Sequence, residues 1–256
     1  MPSPVSQHPL SDAPAGAARP WRLVMEMALG AVALLGLLVL MGLLTSRAGA
    51  GVSPWVATLA LASYLGMATL LWRALRRGSW PQAGLGPANR ITLARAVLVA
   101  LLAGALADPE LLAAQGEWLF VLALVALTLD GVDGWVARRT GSASALGALF
   151  DMELDAFFLL VLCLALLQLD RVGPWVLAIG AMRYAFVAAS WVWPWLAADL
   201  PESFRRKAVC VWQVAALMLA LLPATPDMLA GWLVATALAG LAGSFAVDVR
   251  WLSRHR

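Results

Sequence analysis

The sequence contains few charged residues for its length. Only 13% of its 256 residues are Asp, Glu, Lys or Arg, whereas 62% are hydrophobic, and the mean hydropathy is +0.82. This composition lies outside the range of soluble globular domains and is typical of integral membrane proteins. We therefore expect a chain whose helices cross a bilayer.

Histidine and cysteine are also scarce. The two histidines, His8 and His255, stand at the chain ends, and the two cysteines, Cys163 and Cys210, lie inside apolar runs. These positions predict no disulfide and no cysteine-based metal site, and they favour small core side chains for both cysteines. Proton chemistry inside the membrane must then be carried out by carboxylates.

Eight apolar runs predict an all-α polytopic membrane protein, since a spanning helix needs about 20 mainly apolar residues. The runs lie near residues 22–45, 54–74, 91–107, 117–135, 147–169, 174–197, 207–223 and 228–248. Residues 1–20 are rich in Pro, Ala and Ser and predict a disordered N-terminal tail.

The distribution of positive charge predicts the orientation of these helices. If the N-terminus is cytoplasmic and all eight runs span, most of the 18 Lys and Arg residues fall on the cytoplasmic side, and the outer loops hold only Arg47 and Arg171. The net charge of +3 then reflects inner loops that can contact anionic lipid headgroups. This pattern does not indicate nucleic-acid binding. We expect a bacterial-type inner or plasma membrane as the location.

Four aspartates interrupt the apolar pattern at the cytoplasmic side. A charge at the bilayer centre costs at least about 2.5–3.5 kcal/mol, so four together require partners. Helix positions three or four apart share one face, and two such stripes flank the polar turn 139–142. The first stripe contains Asp130, Asp133, Gly134, Ala137 and Arg138, and the second contains Gly147, Asp151 and Asp155. The short turn predicts antiparallel neighbours with both stripes on one cavity, whereas Glu153 is expected to point elsewhere.

These residue types favour divalent metal and phosphate chemistry. Converging carboxylates suit Mg²⁺ or Mn²⁺, which bind through carboxylates together with substrate phosphates. Arg138 suits a phosphate ligand, and the small residues leave room for a substrate to approach the backbone.

The complete pattern resembles the signature of the CDP-alcohol phosphatidyltransferases. Its form here is Asp130-x2-Asp133-Gly134-x2-Ala137-Arg138-x8-Gly147-x3-Asp151-x3-Asp155, and every fixed position is filled. Upstream, Asn89-x2-Thr92-x2-Arg95 is similar to a weaker pattern of the family. The resemblance implies a six-helix catalytic domain over 87–250, with two additional transmembrane helices over 21–77 in front of it.

The resemblance also implies roles for individual residues. Asp130, Asp133 and Asp151 would bind Mg²⁺ or Mn²⁺, with two ions expected, and Asp155 would complete the metal site and act as the base. Gly134, Ala137, Arg138 and Gly147, together with Asn89 and Thr92, would bind the CDP part of a CDP-linked lipid donor. An N-cap role is the alternative for Asn89.

Basic residues in later helices are candidates for binding the alcohol acceptor. They are Arg183, Arg206 and Lys207, together with Arg95 from the upstream pattern. Arg183 has the alternatives of snorkelling or of pairing with a core aspartate, and Arg95 that of snorkelling. Where family members that handle glycerol 3-phosphate tend to have a second Lys and a Thr, this chain has Val209 and Cys210.

Several acceptors and one other function class stay open. Glycerol 3-phosphate, an anionic polyol, is the first expectation. Phosphatidylglycerol, inositol phosphate, or diacylglycerol with a CDP-choline or CDP-ethanolamine donor are the alternatives. Family members are commonly homodimers. A cation or proton-coupled transporter would also use intramembrane carboxylates, but here the acids gather at one cytoplasmic end.

Overall fold

Every regular element in the described part of the chain is a helix. The computed structural model describes residues 20–47, 52–77, 85–141, 144–198, 200–201 and 203–254. The α-helices are α1 (Pro20–Arg47), α2 (Pro54–Arg77), α3 (Gly86–Ala105), α4 (Pro109–Ala114), α5 (Gly116–Thr140), α6 (Ala145–Gln168), α7 (Leu177–Val192), α8 (Phe204–Leu221) and α9 (Asp227–Arg254). Short 3₁₀ segments at Pro174–Val176 and Pro194–Ala197 flank α7. The predicted tail over 1–20 lies outside the described residues, except that Pro20 begins α1.

The chain is an all-α polytopic membrane protein. Six of its described helices are long and apolar enough to cross a bilayer, namely α1, α2, α3, α5, α7 with its preceding 3₁₀ turn, and α9. The helices α6 and α8 coincide with the two other predicted runs, and each carries three charged residues near its start. These are Asp151, Glu153 and Asp155 in α6, and Arg205, Arg206 and Lys207 in α8.

The helix α3 is the centre of the bundle and contacts α1, α2, α5 and α6. Small residues allow this close packing. A Cβ atom added to Gly104 would lie 2.6 Å from the carbonyl oxygen of Val56 and 2.8 Å from the Cβ of Ala60, so the α2 and α3 backbones touch there. In a bilayer, where lipid tails are as apolar as leucine, such van der Waals contact is a main source of helix association.

The two N-terminal helices share the hydrophobic core with the rest of the bundle. Leu34 of α1 and Tyr64 of α2 are buried in the same cluster as Ala96 of α3. The Tyr64 hydroxyl donates a hydrogen bond to the Met27 carbonyl at 2.7 Å, which joins α2 to α1. The division of the sequence after residue 77 therefore does not separate two cores, and independent function of residues 87–250 stays a prediction.

Asp108 ties the loop after α3 to the start of α2. Its carboxylate accepts hydrogen bonds from the backbone N–H groups of Leu111 and Ser53, both at 3.0 Å. The first of these caps α4, and together they hold the pKa of Asp108 below its usual range. Since the folded-state pKa is the lower one, this contribution to stability is present above the unfolded pKa and is lost as the pH falls through the folded pKa.

We expect Asp108→Ala to lower the thermal unfolding temperature in detergent at pH 7, because losing an N-cap costs about 0.5–2 kcal/mol. The difference from the unchanged protein should shrink as the pH is lowered below the usual carboxyl pKa of about 3.9. Asp108→Asn, which keeps an acceptor oxygen, should lose less. A difference that is the same at neutral and acid pH would show that the charge of Asp108 contributes nothing.

Candidate functional site

The four aspartates of the two stripes converge on one arginine. Asp130 and Asp133 come from α5, Asp151 and Asp155 come from α6, and Arg95 comes from α3. The Nη1 atom of Arg95 lies 2.7 Å from Asp130, 3.1 Å from Asp133 and 2.5 Å from Asp151, and its Nη2 atom lies 2.6 Å from Asp155. This cluster of Arg95 and four aspartates is called the aspartate cluster below.

Arg95 is the most enclosed member of the aspartate cluster, with only 1% of its surface exposed. Its Nε atom also donates to the Ala126 carbonyl at 3.2 Å. A buried guanidinium in a membrane protein needs opposite charges and acceptors around it, and the four carboxylates supply them. In return, Arg95 offsets the repulsion between carboxylates that lie close together.

The connection between α5 and α6 is built to bring the two aspartate pairs face to face. Gly141 ends α5 with φ of 62°, and its N–H bonds to the Ala137 carbonyl. Glycine adopts this left-handed conformation without the steric cost of a side chain. Ser144 then begins α6, and its hydroxyl accepts a hydrogen bond from the Gly147 N–H at 3.0 Å.

Three of the aspartates fit a divalent metal. Carboxylate oxygens of Asp130, Asp151 and Asp155 all lie within 4.8 Å of one another, and all three side chains are partly exposed. An all-oxygen, anionic donor set suits a hard cation such as Mg²⁺ or Mn²⁺. Asp133 stands apart, because its side chain is 6% exposed and accepts a hydrogen bond from the Thr92 hydroxyl at 3.1 Å.

A first cavity, of about 240 Å³, adjoins the aspartate cluster between α3, α5 and α6. Asp133 and Asp151 form part of its wall. All six residues predicted to bind the CDP group line it, namely Asn89, Thr92, Gly134, Ala137, Arg138 and Gly147. We call it the donor cavity.

Asn89 lies inside α3 and does not cap it. The N-cap position belongs to Leu85, and the Asn89 side-chain nitrogen donates to the Leu85 carbonyl at 2.7 Å. The N-cap alternative for Asn89 is therefore wrong, because the helix begins at Gly86, four residues earlier than that interpretation requires.

A second cavity, of about 550 Å³, lies between α6, α7, α8 and α9. Asp155 borders it, as do three of the predicted acceptor-binding residues, Arg183, Arg206 and Lys207. We call it the acceptor cavity. Arg95, the fourth predicted acceptor residue, is instead enclosed in the aspartate cluster.

Acidic partners hold two of the basic residues of the acceptor cavity. Arg183 donates to Glu153, so Glu153 has a defined partner on α7 and is not incidental. Arg206 lies 3.6 Å from the buried Asp248, which also pairs with Arg205 at 2.5 Å. The alternative in which Arg183 pairs with a core aspartate is therefore wrong, because its acidic partner is Glu153. Acceptor binding by Arg183 stays a prediction.

Sequence reasoning missed several polar residues of the two cavities. Ser144 lines the donor cavity, and Gln213, Ser244 and Asp248 line the acceptor cavity. Gln213 is 3% exposed, and a buried amide within an apolar helix is a signal that the sequence did offer. Cys163 is buried as predicted, whereas Cys210 lies on the wall of the acceptor cavity.

Two comparisons with known proteins found matches to this chain. A family model described as CDP-alcohol phosphatidyltransferase matches residues 85–242, which begin just before α3 and end within α9. Human ethanolaminephosphotransferase 1 is 51% identical over 45 residues, which are 16% of this chain and 11% of that protein. The chain thus matches only about a tenth of the length of this relative. No solved structure matches.

Proposed function

The chain belongs to the CDP-alcohol phosphatidyltransferase family, and on this premise we propose that it transfers a phosphatidyl group from CDP-diacylglycerol to an alcohol and releases CMP. One observation carries the proposal. Members of the aspartate cluster line both cavities. Asp133 and Asp151 line the donor cavity with the residues expected to bind CDP, and Asp155 lines the acceptor cavity with basic residues. A transferase must bring its two substrates to the same phosphorus, and two cavities that share one carboxylate cluster support such a transfer. Family membership also argues against a transporter.

The residues of the chain suggest how the transfer proceeds. Bound divalent ions held by Asp130, Asp151 and Asp155 would neutralise the diphosphate and stabilise the leaving CMP. Asp155 borders the acceptor cavity and is placed to take the proton from the acceptor hydroxyl. The hydroxyl oxygen then forms a bond to the phosphorus that bears the diacylglycerol, the bond from this phosphorus to the bridging oxygen breaks, and CMP leaves with that oxygen.

An anionic polyol such as glycerol 3-phosphate is the acceptor that we propose first. Arg183, Arg206 and Lys207 in the acceptor cavity support a phosphorylated acceptor. Phosphatidylglycerol and inositol phosphate satisfy the same chemistry. The second candidate is diacylglycerol with a CDP-ethanolamine or CDP-choline donor. The name of the human relative favours this candidate. So do Glu153 and Asp248, because they neutralise part of the positive charge of the acceptor cavity, and diacylglycerol carries no phosphate.

Product analysis distinguishes these acceptors. The purified full chain would be incubated with CDP-diacylglycerol, Mn²⁺ and one alcohol at a time, and separately with CDP-ethanolamine or CDP-choline and diacylglycerol. The lipid products would be identified by mass spectrometry. Phosphatidylglycerophosphate as the main lipid product supports the first proposal. Phosphatidylethanolamine or phosphatidylcholine, formed from CDP-ethanolamine or CDP-choline, supports the alternative.

We also propose that the site faces the cytoplasm of a bacterial-type inner or plasma membrane. The concentration of Arg and Lys on one side of the predicted topology supports this orientation. A homodimer is proposed from family membership alone.

Gly147 offers a test of the donor cavity. A Cβ atom added there would lie 2.5 Å from the Asn89 Oδ1 atom and 3.0 Å from the Ser144 Oγ atom, so Gly147→Ala must displace Asn89. We expect the KM for CDP-diacylglycerol to rise about tenfold, since small displacements of positioning groups have large effects. The control is Gly131→Ala on α5, where an added Cβ meets nothing within 4 Å. Equal KM values for both variants would contradict the assignment of this cavity to the donor.

A further inference from the structure

Glu26 of α1 lies outside the family match at 85–242, yet it contacts the first residues of α3. Its carboxylate accepts a hydrogen bond from the Leu85 N–H at 2.8 Å. It also accepts from the Arg90 Nε at 3.0 Å and pairs with the Arg90 Nη2 at 2.5 Å. The Glu26 side chain is only 11% exposed, whereas that of Arg90 is 63% exposed. Of the two partners of Glu26, Leu85 is therefore the buried one and Arg90 the exposed one.

The Leu85 contact leads directly to the donor cavity. Leu85 is fully buried, and its carbonyl accepts the hydrogen bond from the Asn89 side-chain nitrogen at 2.7 Å. The Asn89 oxygen lies against Gly147, and both residues line the donor cavity. The backbone of Leu85 thus links α1 to the donor cavity. Its N–H donates to Glu26, and its carbonyl accepts from the Asn89 side chain.

The start of α3 has little support from its own sequence. Leu85, at the N-cap position, has no side-chain oxygen that could accept a hydrogen bond from the first turn, and the proline of that turn has no N–H. Gly86 has φ of 79°, a conformation that other residues adopt at a cost. A carboxylate from another helix is a favourable partner at this end, since negative charge is stabilised near a helix N-terminus.

We propose that Glu26 is a positioning residue for the donor half of the active site. It fixes Leu85 and, through Leu85, the Asn89 side chain that lines the donor cavity. Among the described residues, none from α1 or α3 lines the acceptor cavity, so the effect is confined to the donor. This inference rests on the proposed function and adds that α1, although outside the family match, is part of the binding machinery.

Kinetics in mixed micelles test this role with Glu26→Leu, which removes the acceptor for the Leu85 N–H. We expect the KM for CDP-diacylglycerol to rise about tenfold, as for the loss of a hydrogen bond to a charged group, with the acceptor KM unchanged. Glu26→Gln keeps an acceptor oxygen and should restore most of the donor affinity. Arg90→Leu removes only the exposed ion pair and should change the donor KM little. Glu117→Leu, on the exposed start of α5, is the matched control.

Several outcomes would overturn the inference. One is an unchanged donor KM in Glu26→Leu, and another is a rise in both KM values together with a lower unfolding temperature, which would indicate a general structural role.

If Glu26→Leu does not fold, Glu26→Asp, one methylene shorter, takes its place. CDP binding by calorimetry reports on the donor cavity without turnover. No CMP release by the unchanged protein would contradict the proposed function, whereas normal release with unaltered CDP binding in the Glu26 variants would contradict only the role of Glu26.

Discussion

Asp155→Asn is expected to reduce acceptor-dependent CMP release by about 10³-fold or more. Asp155 lines the acceptor cavity, within 2.6 Å of Arg95, and belongs to the group of three carboxylates that suits a divalent ion. The amide of asparagine fills nearly the same space but neither takes up a proton nor carries negative charge. The substitution therefore removes a base and a metal ligand while leaving the packing of α6 unchanged.

Asp170→Asn is the matched control for this experiment. Asp170 follows α6 at its other end and has φ of 52°, a conformation that asparagine tolerates well. The control should keep full activity. An Asp155→Asn protein that is folded and retains more than about a tenth of the activity would contradict the role of Asp155 as the base.

Arg95→Met is expected to make the stability of the protein depend on divalent metal. Methionine fills part of the arginine volume but leaves four carboxylates facing one another without a cation. Removing one partner of a buried ion pair costs about 3–5 kcal/mol. In the presence of a chelator, we expect the unfolding temperature in detergent to fall by about 10 °C or more. Added Mg²⁺ or Mn²⁺ should restore much of the loss, because the ion supplies the missing charge.

Arg205→Met separates this effect from the loss of any partly buried arginine. Arg205 pairs with Asp248 and bonds to the Ser244 carbonyl at 2.6 Å, away from the aspartate cluster. Its loss should lower the unfolding temperature by the same amount with and without metal. If Arg95→Met shows the same metal-independent behaviour, Asp130, Asp151 and Asp155 do not form a metal site.

The eight long helices were predictable from the sequence, whereas the short helix α4 and the ends of the helices were not. Hydropathy identifies the part of a helix that lies in lipid, but the polar ends often continue as helix. The structure extends the run at 117–135 to Thr140 and the run at 228–248 to Arg254. Conversely, α7 is shorter than the run at 174–197, because Pro174 and Pro194 begin 3₁₀ segments on either side of it.

The α5 and α6 residues of the donor cavity were predictable because their spacing places them on helix faces. The polar residues Gln213, Ser244 and Asp248 of the acceptor cavity were missed, and the partners across helices could not be predicted. Arg95 meets Asp155 across 60 positions, and Glu26 meets Leu85 across 59. Periodicity within one helix does not specify which neighbour it faces. A charged residue in an apolar helix signals that a partner exists, as with Glu153, but only the packing of α6 against α7 identifies Arg183.

CMP release by the purified full chain, with CDP-diacylglycerol, an alcohol acceptor and a titration of Mn²⁺ against a chelator, tests the central claim most directly. We predict release that requires both the acceptor and the metal and that stops when the metal is removed. Release that continues at full rate in the chelator would contradict a metal-dependent transfer at the aspartate cluster. So would the absence of release with every donor and acceptor in protein shown to be folded.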